Sequence, residues 1–416
     1  MKKFWKISLG VLLILIIVGG AAAYHERHKI RRYLLVHQQY QKTDILRLSQ
    51  IKLNLRPALS TKNTTATNHL TTTYRRELHQ LPTGPQHAKV IVNPYQTSPL
   101  SGLILVKTAA KTRVTLTVHG DRPATTITKK LSGYKTAHSV GVLGLYANRT
   151  NRVTLTFTQK DGQTSRTTYR LKTGHTPKGI GKNTLKTSNP QQMALGTGHT
   201  KLTFAVSSQG YTYGLDARGK IRWYSTNKIS HIFKQLSNHH LLILTKISPD
   251  EHKYNALRET DFYGRVYRQY NFSGLFPTRK DTHKLATNTV IHHDAIELPN
   301  HNLLLTVDDG SSKYVEDTMI EINYKTGKIV KVIDLKRILP RSAYTTYTGT
   351  HRPDGKIDWF HQNSMVYDKK RGELIVSGRN QDMIFAINYK ITKLQWILAA
   401  PQKLPASYQH YLLNPQ

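Results

Sequence analysis

The chain has 416 residues, of which 61 are Lys or Arg and 24 are Asp or Glu, so its formal net charge is +37. It contains no Cys, which excludes disulfides, thiolate nucleophiles and Cys-ligated metal sites. Its 38% of hydrophobic residues can build packed cores, and its length predicts two or three domains. The basic charge suits an anionic partner, but zinc-finger spacing, RNA-recognition motifs and dense basic arms are missing from the sequence. We therefore favour a membrane, an anionic cell-wall polymer or a small anion over a nucleic acid.

Residues 1–24 predict a signal or anchor segment. Three Lys within the first six residues precede an uncharged stretch over residues 7–24, which is just long enough to cross a bilayer as a helix. The small residues at its end also fit a signal-peptidase site, which would make the protein secreted. We favour the anchor, because a basic stretch with helical periodicity follows directly over residues 27–40. Those basic residues mean that counting Lys and Arg does not place the C-terminal side outside the cell.

Residues 25–84 predict a basic juxtamembrane helix and a polar linker. The helical pattern continues to about residue 56, and Arg56-Pro57 is a stop signal. The following stretch, STKNTTATNHLTTT, has the composition of a linker. Residues 85–175 then alternate with period two, as in RVTLTVHG and RVTLTFTQKDGQ, which predicts a β-sandwich.

Residues 176–416 carry a loose internal repeat that predicts a β-propeller. A strand, a tight turn and a second strand recur four times, with Gly219, Gly264, Gly327 and Thr392 at comparable points. Short apolar strands such as HLLILTK and NLLLTVDDG separate these units. A propeller blade is a four-stranded unit repeated about an axis, with loops gathered around a central channel. A second irregular sandwich is the alternative, and the recurrence of the turn unit favours the propeller.

Two segments place polar side chains at the ends of predicted strands. VIHHDAIELPNHNLLLT opens with two His and an Asp, and DWFHQNSMVYDKKRGELIVSGRNQD has a His and an Asn before one strand and an Arg after the next. Imidazole, amide and guanidinium groups make a donor-rich, acceptor-poor site that suits a tetrahedral oxyanion and the charge that develops on its oxygens. The candidates are His292, His293, Asp294, His361, Asn363 and Arg379.

Each candidate also has a structural interpretation. With 21 His in the chain, a single His is more often structural than functional. Arg379 could form a structural ion pair, and Asn363 could close a turn. A metal site is the weaker functional alternative, because neighbouring residues of a strand face opposite ways and His292, His293 and Asp294 would then make poor joint ligands.

The C-terminal half resembles the bacterial arylsulfotransferase family. The stretch from DWFHQNSMVYD to QWIL is similar to the family's run of Trp, His-x-Asn-Ser, Tyr-Asp, Ser-x-Arg-x-Gln and Trp-Ile-Leu, and HHDAIELPNHNLLLT resembles its second His-bearing segment. VEDTMIEINYKTGKIVKVIDLKRILP is similar to the blade between them, and HSVGVLGLYANRTNRVTLTF resembles the family's N-terminal sandwich. The resemblance spans about residues 85–416.

The resemblance implies an all-β protein in which a β-sandwich precedes a six-bladed propeller, exported across the membrane. Together with the predicted N-terminal membrane-anchor helix, this would place the main domains outside the cytoplasm. It implies transfer of a sulfuryl group from a phenolic sulfate ester to a phenol acceptor. The transfer would use no cofactor and no nucleotide sulfate donor, and would pass through a covalent sulfohistidine. The partners would be the aryl sulfate, the phenol and the membrane, with an anionic wall polymer as a further candidate.

The family's supporting residues match His361, Asn363 and Arg379 here, together with a His of the HHD segment. We place that role on His293 and keep His292 as the alternative register. The family's nucleophilic His lies in a Trp-rich segment after the stretch matched by YQHYLLNPQ, so we do not assign it to His410. On this resemblance we expect an incomplete propeller without the nucleophile segment.

Two other functions stay open. A non-catalytic propeller could bind wall polymers or phenolic anions through the same basic channel. A lyase or hydrolase could also use this scaffold, since fold alone does not determine chemistry, and it would release product without an acceptor phenol.

Overall fold

The structure, a computed structural model, describes residues 45–180, 183, 184, 186, 202–248, 254–273, 290–311, 313–349 and 355–413. The predicted anchor over residues 1–24 and the basic stretch up to residue 44 lie outside these ranges. Among the described helices, none has the length and apolar character that crossing a bilayer requires.

The described chain begins with a helix–strand–helix segment that packs onto the later sheets. Helix α1 (Leu48–Leu55) ends at Arg56, which has a left-handed backbone (φ 31°) and donates its N–H to the Lys52 carbonyl. The predicted stop at this position is therefore confirmed. Strand β1 (Pro57–Leu59) follows and pairs with the edge of a later strand, and helix α2 spans Lys62–Gln80.

The prediction of a polar linker over residues 60–73 is wrong, because α2 occupies most of it. Thr and Asn are weak helix formers, so local propensity favours a loop. Tertiary contacts decide otherwise. The Thr67 hydroxyl donates to the Val266 carbonyl and accepts from the Val266 N–H, and Asn63 donates to Gln269 at 2.7 Å. The helix is thus held by its packing against another part of the chain.

The predicted β-sandwich is present between α2 and residue 173, and its strand β3 belongs to both sheets. The first part of β3 pairs with β2 and β5, and after about residue 111 it pairs with β4 and β6 in the second sheet. Inward residues such as Val114, Val140 and Val153 are buried, as period-two alternation predicts. The strands are β2 (Lys89–Val92), β3 (Ser101–Val118), β4 (Ile127–Lys130), β5 (Lys135–Leu143), β6 (Thr150–Thr158) and β7 (Thr164–Lys172).

The C-terminal part contains four antiparallel sheets in the described residues, with a short helix α3 (Ser342–Thr345) before the last of them. The strands are β8 (Thr203–Val206), β9 (Tyr211–Leu215), β10 (Ile221–Lys228), β11 (Phe233–Gln235), β12 (Leu241–Thr245), β13 (Ala256–Thr260), β14 (Val266–Phe272), β15 (Ile291–Glu297), β16 (Leu303–Val307), β17 (Thr318–Ile322), β18 (Ile329–Asp334), β19 (Gln362–Asp368), β20 (Glu373–Gly378), β21 (Met383–Asn388) and β22 (Lys393–Leu398).

These sheets have the connectivity of propeller blades. Strands β15–β18 and β19–β22 each form a four-stranded meander, and β11–β14 form another, with β1 added at its outer edge. The middle strands β12, β13, β16 and β17 are buried along their whole length, because neighbouring elements cover both faces of their sheets. Strands β8–β10 form a three-stranded sheet. Closure of these units into a six-bladed ring stays a prediction.

The turn repeat seen in the sequence corresponds to one structural position. Gly219, Gly264, Gly327 and Thr392 each lie in the turn between the last two strands of their sheet. Their φ angles are 71°, 94°, 70° and 56°, so the turn needs a left-handed residue at this point. Gly adopts this conformation without strain, and Thr392 adopts it despite its branched Cβ.

Candidate functional site

The predicted site residues come from strand ends at one edge of two neighbouring sheets. His292 and His293 open β15, and His361 immediately precedes β19. Arg379 directly follows β20, the partner of β19. Strands β15 and β19 lie side by side as the first strands of their sheets, so these ends meet.

A β-bulge at the start of β15 turns both imidazoles of the HHD segment to the same place. The pairing of β15 with β16 shifts between Ile291 and Ala295, and His293 has φ 25°. The Nδ1 atoms of His292 and His293 are consequently 3.3 Å apart. The expectation that these neighbours face opposite ways is therefore wrong, because a bulge breaks the alternation of a regular strand. Asp294 points elsewhere, with its carboxylate accepting from the Met365 N–H at 2.8 Å.

Four His rings and two carboxylates form one group, which we call the imidazole cluster. The His293 ring stacks on His231 with centroids 4.9 Å apart and meets His361 edge-on at 4.6 Å. The cluster consists of His231, His292, His293, Glu316, Asp358 and His361.

The carboxylates contradict the prediction of an acceptor-poor site. His361 Nδ1 is 2.5 Å from Asp358 Oδ2 and 3.0 Å from Glu316 Oε2, and His293 Nδ1 is 3.8 Å from the same Glu316 oxygen. Both acids come from loops that connect strands. Asp358 is the first residue of the DWFH segment but was not among the candidates, and Glu316 lies outside both segments that the sequence analysis singled out. The site therefore already contains carboxylate acceptors that are paired with its imidazole donors.

The carboxylates make His361 a cation at neutral pH. Hydrogen bonds to Asp358 and Glu316 raise the pKa of His361 to about 9, against the smaller opposing effect of burial. Burial alone would raise the pKa of Glu316. The hydrogen bond from His361 and the surrounding imidazoles outweigh it and lower the pKa of Glu316 to about 2.

The other imidazoles of the cluster stay neutral. Burial lowers the pKa of His292 to about 3, and it also lowers the pKa of His293 and of His231. A neutral imidazole keeps a lone pair on one nitrogen. The cluster thus holds an imidazolium, His361, next to imidazoles that can accept a proton or bind an electrophile.

Four members of the cluster have left-handed backbones. The φ angles are 54° at His231, 25° at His293, 59° at Glu316 and 53° at His361. Residues other than Gly rarely adopt this region, and such conformations concentrate at functional sites where the surrounding structure enforces them. The strained residues, one in strand β15 and three in separate loops, direct their four side chains toward one point.

Arg379 lies at the rim of the cluster and Asn363 lies apart from it. Arg379 Nη1 is 3.5 Å from His361 Nε2, and the Arg379 N–H donates to the His361 carbonyl at 3.2 Å. Asn363 sits exposed at an irregularity between β19 and β20, and its side chain makes no hydrogen bond within the described part of the chain. The structure therefore unites His292, His293, His361 and Arg379 and leaves Asn363 at the surface.

Three residues of the cluster were missed by the sequence analysis. His231 precedes β11 just as His361 precedes β19, so an alignment of the repeat units on their first strands would have found it. Asp358 stands three residues before His361 in DWFH. This spacing was visible in the sequence, but in a regular strand it would not place the two side chains on the same face. Glu316 follows β16 in a long connection and gave no signal.

Two family profiles match the two halves of the chain, and two relatives match most of its length. The profile of the arylsulfotransferase (ASST) family matches residues 187–416, and that of the arylsulfotransferase Ig-like domain matches residues 89–174. The chain is 23% identical over 419 residues to arylsulfate sulfotransferase AssT of Escherichia coli O6:H1, covering 80% of this chain and 67% of that protein. It is 23% identical over 425 residues to AssT of Lelliottia amnigena, covering 78% and 66%. The chain thus spans about two thirds of the length of these relatives.

Solved structures give weaker likenesses. BamB from Moraxella catarrhalis matches with a TM-score of 0.24 at 12% identity over 48% of each chain. The periplasmic gluconolactonase PpgL of Pseudomonas aeruginosa matches with a TM-score of 0.25 at 10% identity, over 76% of this chain and 83% of its own. These scores are too low to argue from. The family profile covers more than half of the sequence, and with the Ig-like match before it this chain belongs to the arylsulfotransferase family.

Proposed function

We propose that this protein transfers a sulfuryl group from a phenolic sulfate ester to a phenol. The observation that carries the proposal is the meeting of His293, His361 and Arg379 at one strand edge, with Arg379 and His361 3.5 Å apart. A guanidinium and an imidazolium side by side complement the negative charge of a sulfate ester and can donate hydrogen bonds to its tetrahedrally arranged oxygens. Family membership supports the same chemistry.

His361 is suited to the proton transfers of this reaction. When the ester S–O bond breaks, the leaving phenolate needs a proton, and the pKa of His361, about 9, lies close to that of a phenol, about 10. The sulfur forms a bond to an imidazole nitrogen at the same time, which gives the sulfohistidine. In the second half-reaction the neutral His361 takes the proton of the acceptor phenol, whose oxygen displaces the imidazole from sulfur.

The supporting roles follow from position and charge. Arg379 binds the sulfuryl oxygens and stabilises the charge that develops on them. His293, neutral and between His231 and His361, orients His361 and offers a further hydrogen bond to the substrate. Asn363 lies at the irregularity between β19 and β20, and it would reach the sulfuryl oxygens on a reorientation of β19 at this point. By the family resemblance the accepting imidazole is none of the four His of the cluster.

The architecture belongs to the same proposal. We take the four described sheets as blades of a six-bladed propeller, since three of them contain a four-stranded meander. We take residues 1–24 as a membrane anchor, because an uncharged stretch follows three Lys. The family resemblance leads us to propose that the two domains lie outside the cytoplasm.

The decisive experiment incubates the purified chain with p-nitrophenyl sulfate, with and without phenol, and measures both nitrophenol release and phenyl sulfate formation. Transfer predicts nitrophenol release that depends on the acceptor and equals the phenyl sulfate formed. Equal release without an acceptor would indicate a hydrolase. Saturable binding of the ester without any release would favour the alternative, a propeller that binds phenolic anions or wall polymers through this basic site.

A further inference from the structure

We propose that His292, His293 and Glu316 form a binding site for a divalent transition-metal ion. The site uses part of the imidazole cluster, but its occupancy does not depend on the transfer reaction. Each of the three residues offers one ligand atom, and these atoms all lie within 4.8 Å of one another.

The distances fit tetrahedral coordination. Zinc binds imidazole nitrogens at about 2.0–2.1 Å, so two ligands of a tetrahedral ion lie about 3.3–3.5 Å apart. The Nδ1 atoms of His292 and His293 are 3.3 Å apart, and Glu316 Oε2 is 3.8 Å from His293 Nδ1. The third pair of ligand atoms, on His292 and Glu316, lies within 4.8 Å, so a rotation of the Glu316 side chain toward His292 would complete the three-ligand set.

The backbone explains how adjacent residues become joint ligands. In a regular strand His292 and His293 would point to opposite faces. The bulge in β15 and the left-handed conformation of His293 bring both Nδ1 atoms to the same side. Glu316 reaches the same point from a connection that is itself left-handed at this residue. Two strained backbones that converge on three ligand atoms are typical of a site held in place for binding.

Neighbouring residues hold the carboxylate ligand. His361 Nδ1 contacts Glu316 Oε2 at 3.0 Å and Asp358 Oδ2 at 2.5 Å, so a proton on this nitrogen joins the two acids. Metal-binding carboxylates and imidazoles are commonly fixed by such outer hydrogen bonds. Glu316, Asp358 and His361 form a second trio of suitable spacing. We prefer the first trio. In the second trio the His361 Nδ1 atom already donates hydrogen bonds to both acids, so this nitrogen does not offer a lone pair to a metal ion.

The ligand types select the class of metal. Two imidazoles and one carboxylate are the ligand set of catalytic zinc sites and of non-haem iron sites, which leave a further position open. Calcium and magnesium prefer oxygen ligands alone. We therefore expect zinc to bind in preference to magnesium.

To test the proposal, the full chain is first treated with a chelator and is then titrated with zinc chloride in a calorimeter. We expect one tight zinc equivalent at this site and no comparable binding of magnesium. Glu316→Gln and His293→Ala should each weaken that equivalent at least tenfold, the loss that even outer-shell changes commonly produce. His293 is about a quarter exposed, so its truncation offers a variant that is easier to fold than a change at the buried His292.

The matched control is the pair His301 and Glu297. His301 Nδ1 is 2.7 Å from Glu297 Oε1. Among the residues that the structure describes, no third His, Asp or Glu completes a set of metal ligands with this pair. The double variant His301→Ala with Glu297→Gln should leave the zinc equivalent unchanged. Absence of saturable zinc binding, wild-type affinity in Glu316→Gln, or an equal loss in the control would overturn the proposal. Because no sulfate ester is present, the result is independent of the transfer activity.

Discussion

Two charged clusters lie next to each other at one end of the sheet β15–β18. One is fully buried, and the other is only partly covered. Lys336 is fully buried with Asp317, Asp334 and Asp309 at 2.8, 3.0 and 3.4 Å from its Nζ atom. The imidazole cluster is only partly covered and has strained backbones. Two neighbouring residues belong to different clusters: Glu316 contacts His361 in the imidazole cluster, and Asp317 contacts Lys336 in the buried cluster.

The buried cluster connects the fold rather than a ligand. Trp359 donates its indole N–H to Asp317 at 2.5 Å, and the side chain of Asn54 in α1 donates to the Asp309 carbonyl at 2.9 Å. Burial disfavours the Lys336 ammonium, but the three carboxylates outweigh this and raise its pKa above the ordinary value. The sheet β15–β18, the Trp359 segment and helix α1 thus meet around one buried, paired charge. The partly covered imidazole cluster instead keeps groups available for an incoming molecule.

The largest expected effect comes from Lys336→Met. Removing the cation leaves three carboxylates buried together, which should cost about 3–5 kcal/mol of the free energy of unfolding. Urea unfolding followed by fluorescence measures this loss. The control is Lys403→Met, because Lys403 and Asp382 form an exposed ion pair whose loss should cost less than about 1 kcal/mol. Equal losses in both variants would show that the buried cluster has no special structural weight.

In contrast to Lys336→Met, Arg379→Ala should lower activity and leave stability unchanged. We expect turnover of p-nitrophenyl sulfate to fall about 10²–10³-fold, as when one donor to a developing oxyanion is removed, with urea unfolding unchanged. Arg371→Ala is the control, since Arg371 lies exposed at the other end of β20. Turnover that survives in Arg379→Ala would remove Arg379 from the site.

Asp358→Asn should shift the pH dependence of turnover. His361 acts as the acid in our proposal, so wild-type activity should decline as the pH rises through about 9. Losing the Asp358 hydrogen bond, the largest cause of the raised pKa, moves that decline to lower pH. Asp368→Asn, next to Arg371, should leave the profile in place. An unchanged alkaline limb in Asp358→Asn would show that a different group titrates there.

The smallest effect concerns stability in acid. His292 has a lowered pKa in the folded state, so below pH 6.5 the unfolded chain takes up a proton that the folded chain refuses. Its contribution to stability is present above pH 6.5 and falls by up to about 1.4 kcal/mol per pH unit as the pH drops toward 3. Urea midpoints at pH 7 and pH 5 should therefore differ less in His292→Gln than in the wild type. His301→Gln should retain the wild-type difference, and a retained difference in His292→Gln would contradict the assignment.

The predicted part of the site rested on short-range patterns. His361 and Arg379 were found because each adjoins a strand that alternation makes visible, and the turn repeat marked where the sheets lie. The contact between them needed only the antiparallel pairing of β19 with β20. Glu316 escaped because it lies in a connection, where local composition does not report which distant group a side chain will meet. Asp358 escaped although it is only three residues from His361, because that spacing predicts no contact in a strand.

The sequence by itself determined the sandwich and the repeated strand–turn units, because period-two alternation and left-handed Gly turns are local properties of the chain. The family was indicated by the resemblance of the His-bearing motifs, which are also short stretches of sequence. Only the tertiary structure decided that Thr-rich residues after Leu59 form a helix, that His292 and His293 point to one place, and that Glu316 and Asp358 charge His361. A bulge, a buried carboxylate and a docked helix all depend on partners far away in sequence. Their free energies come from contacts that exist once the sheets have assembled, so local preference does not encode them.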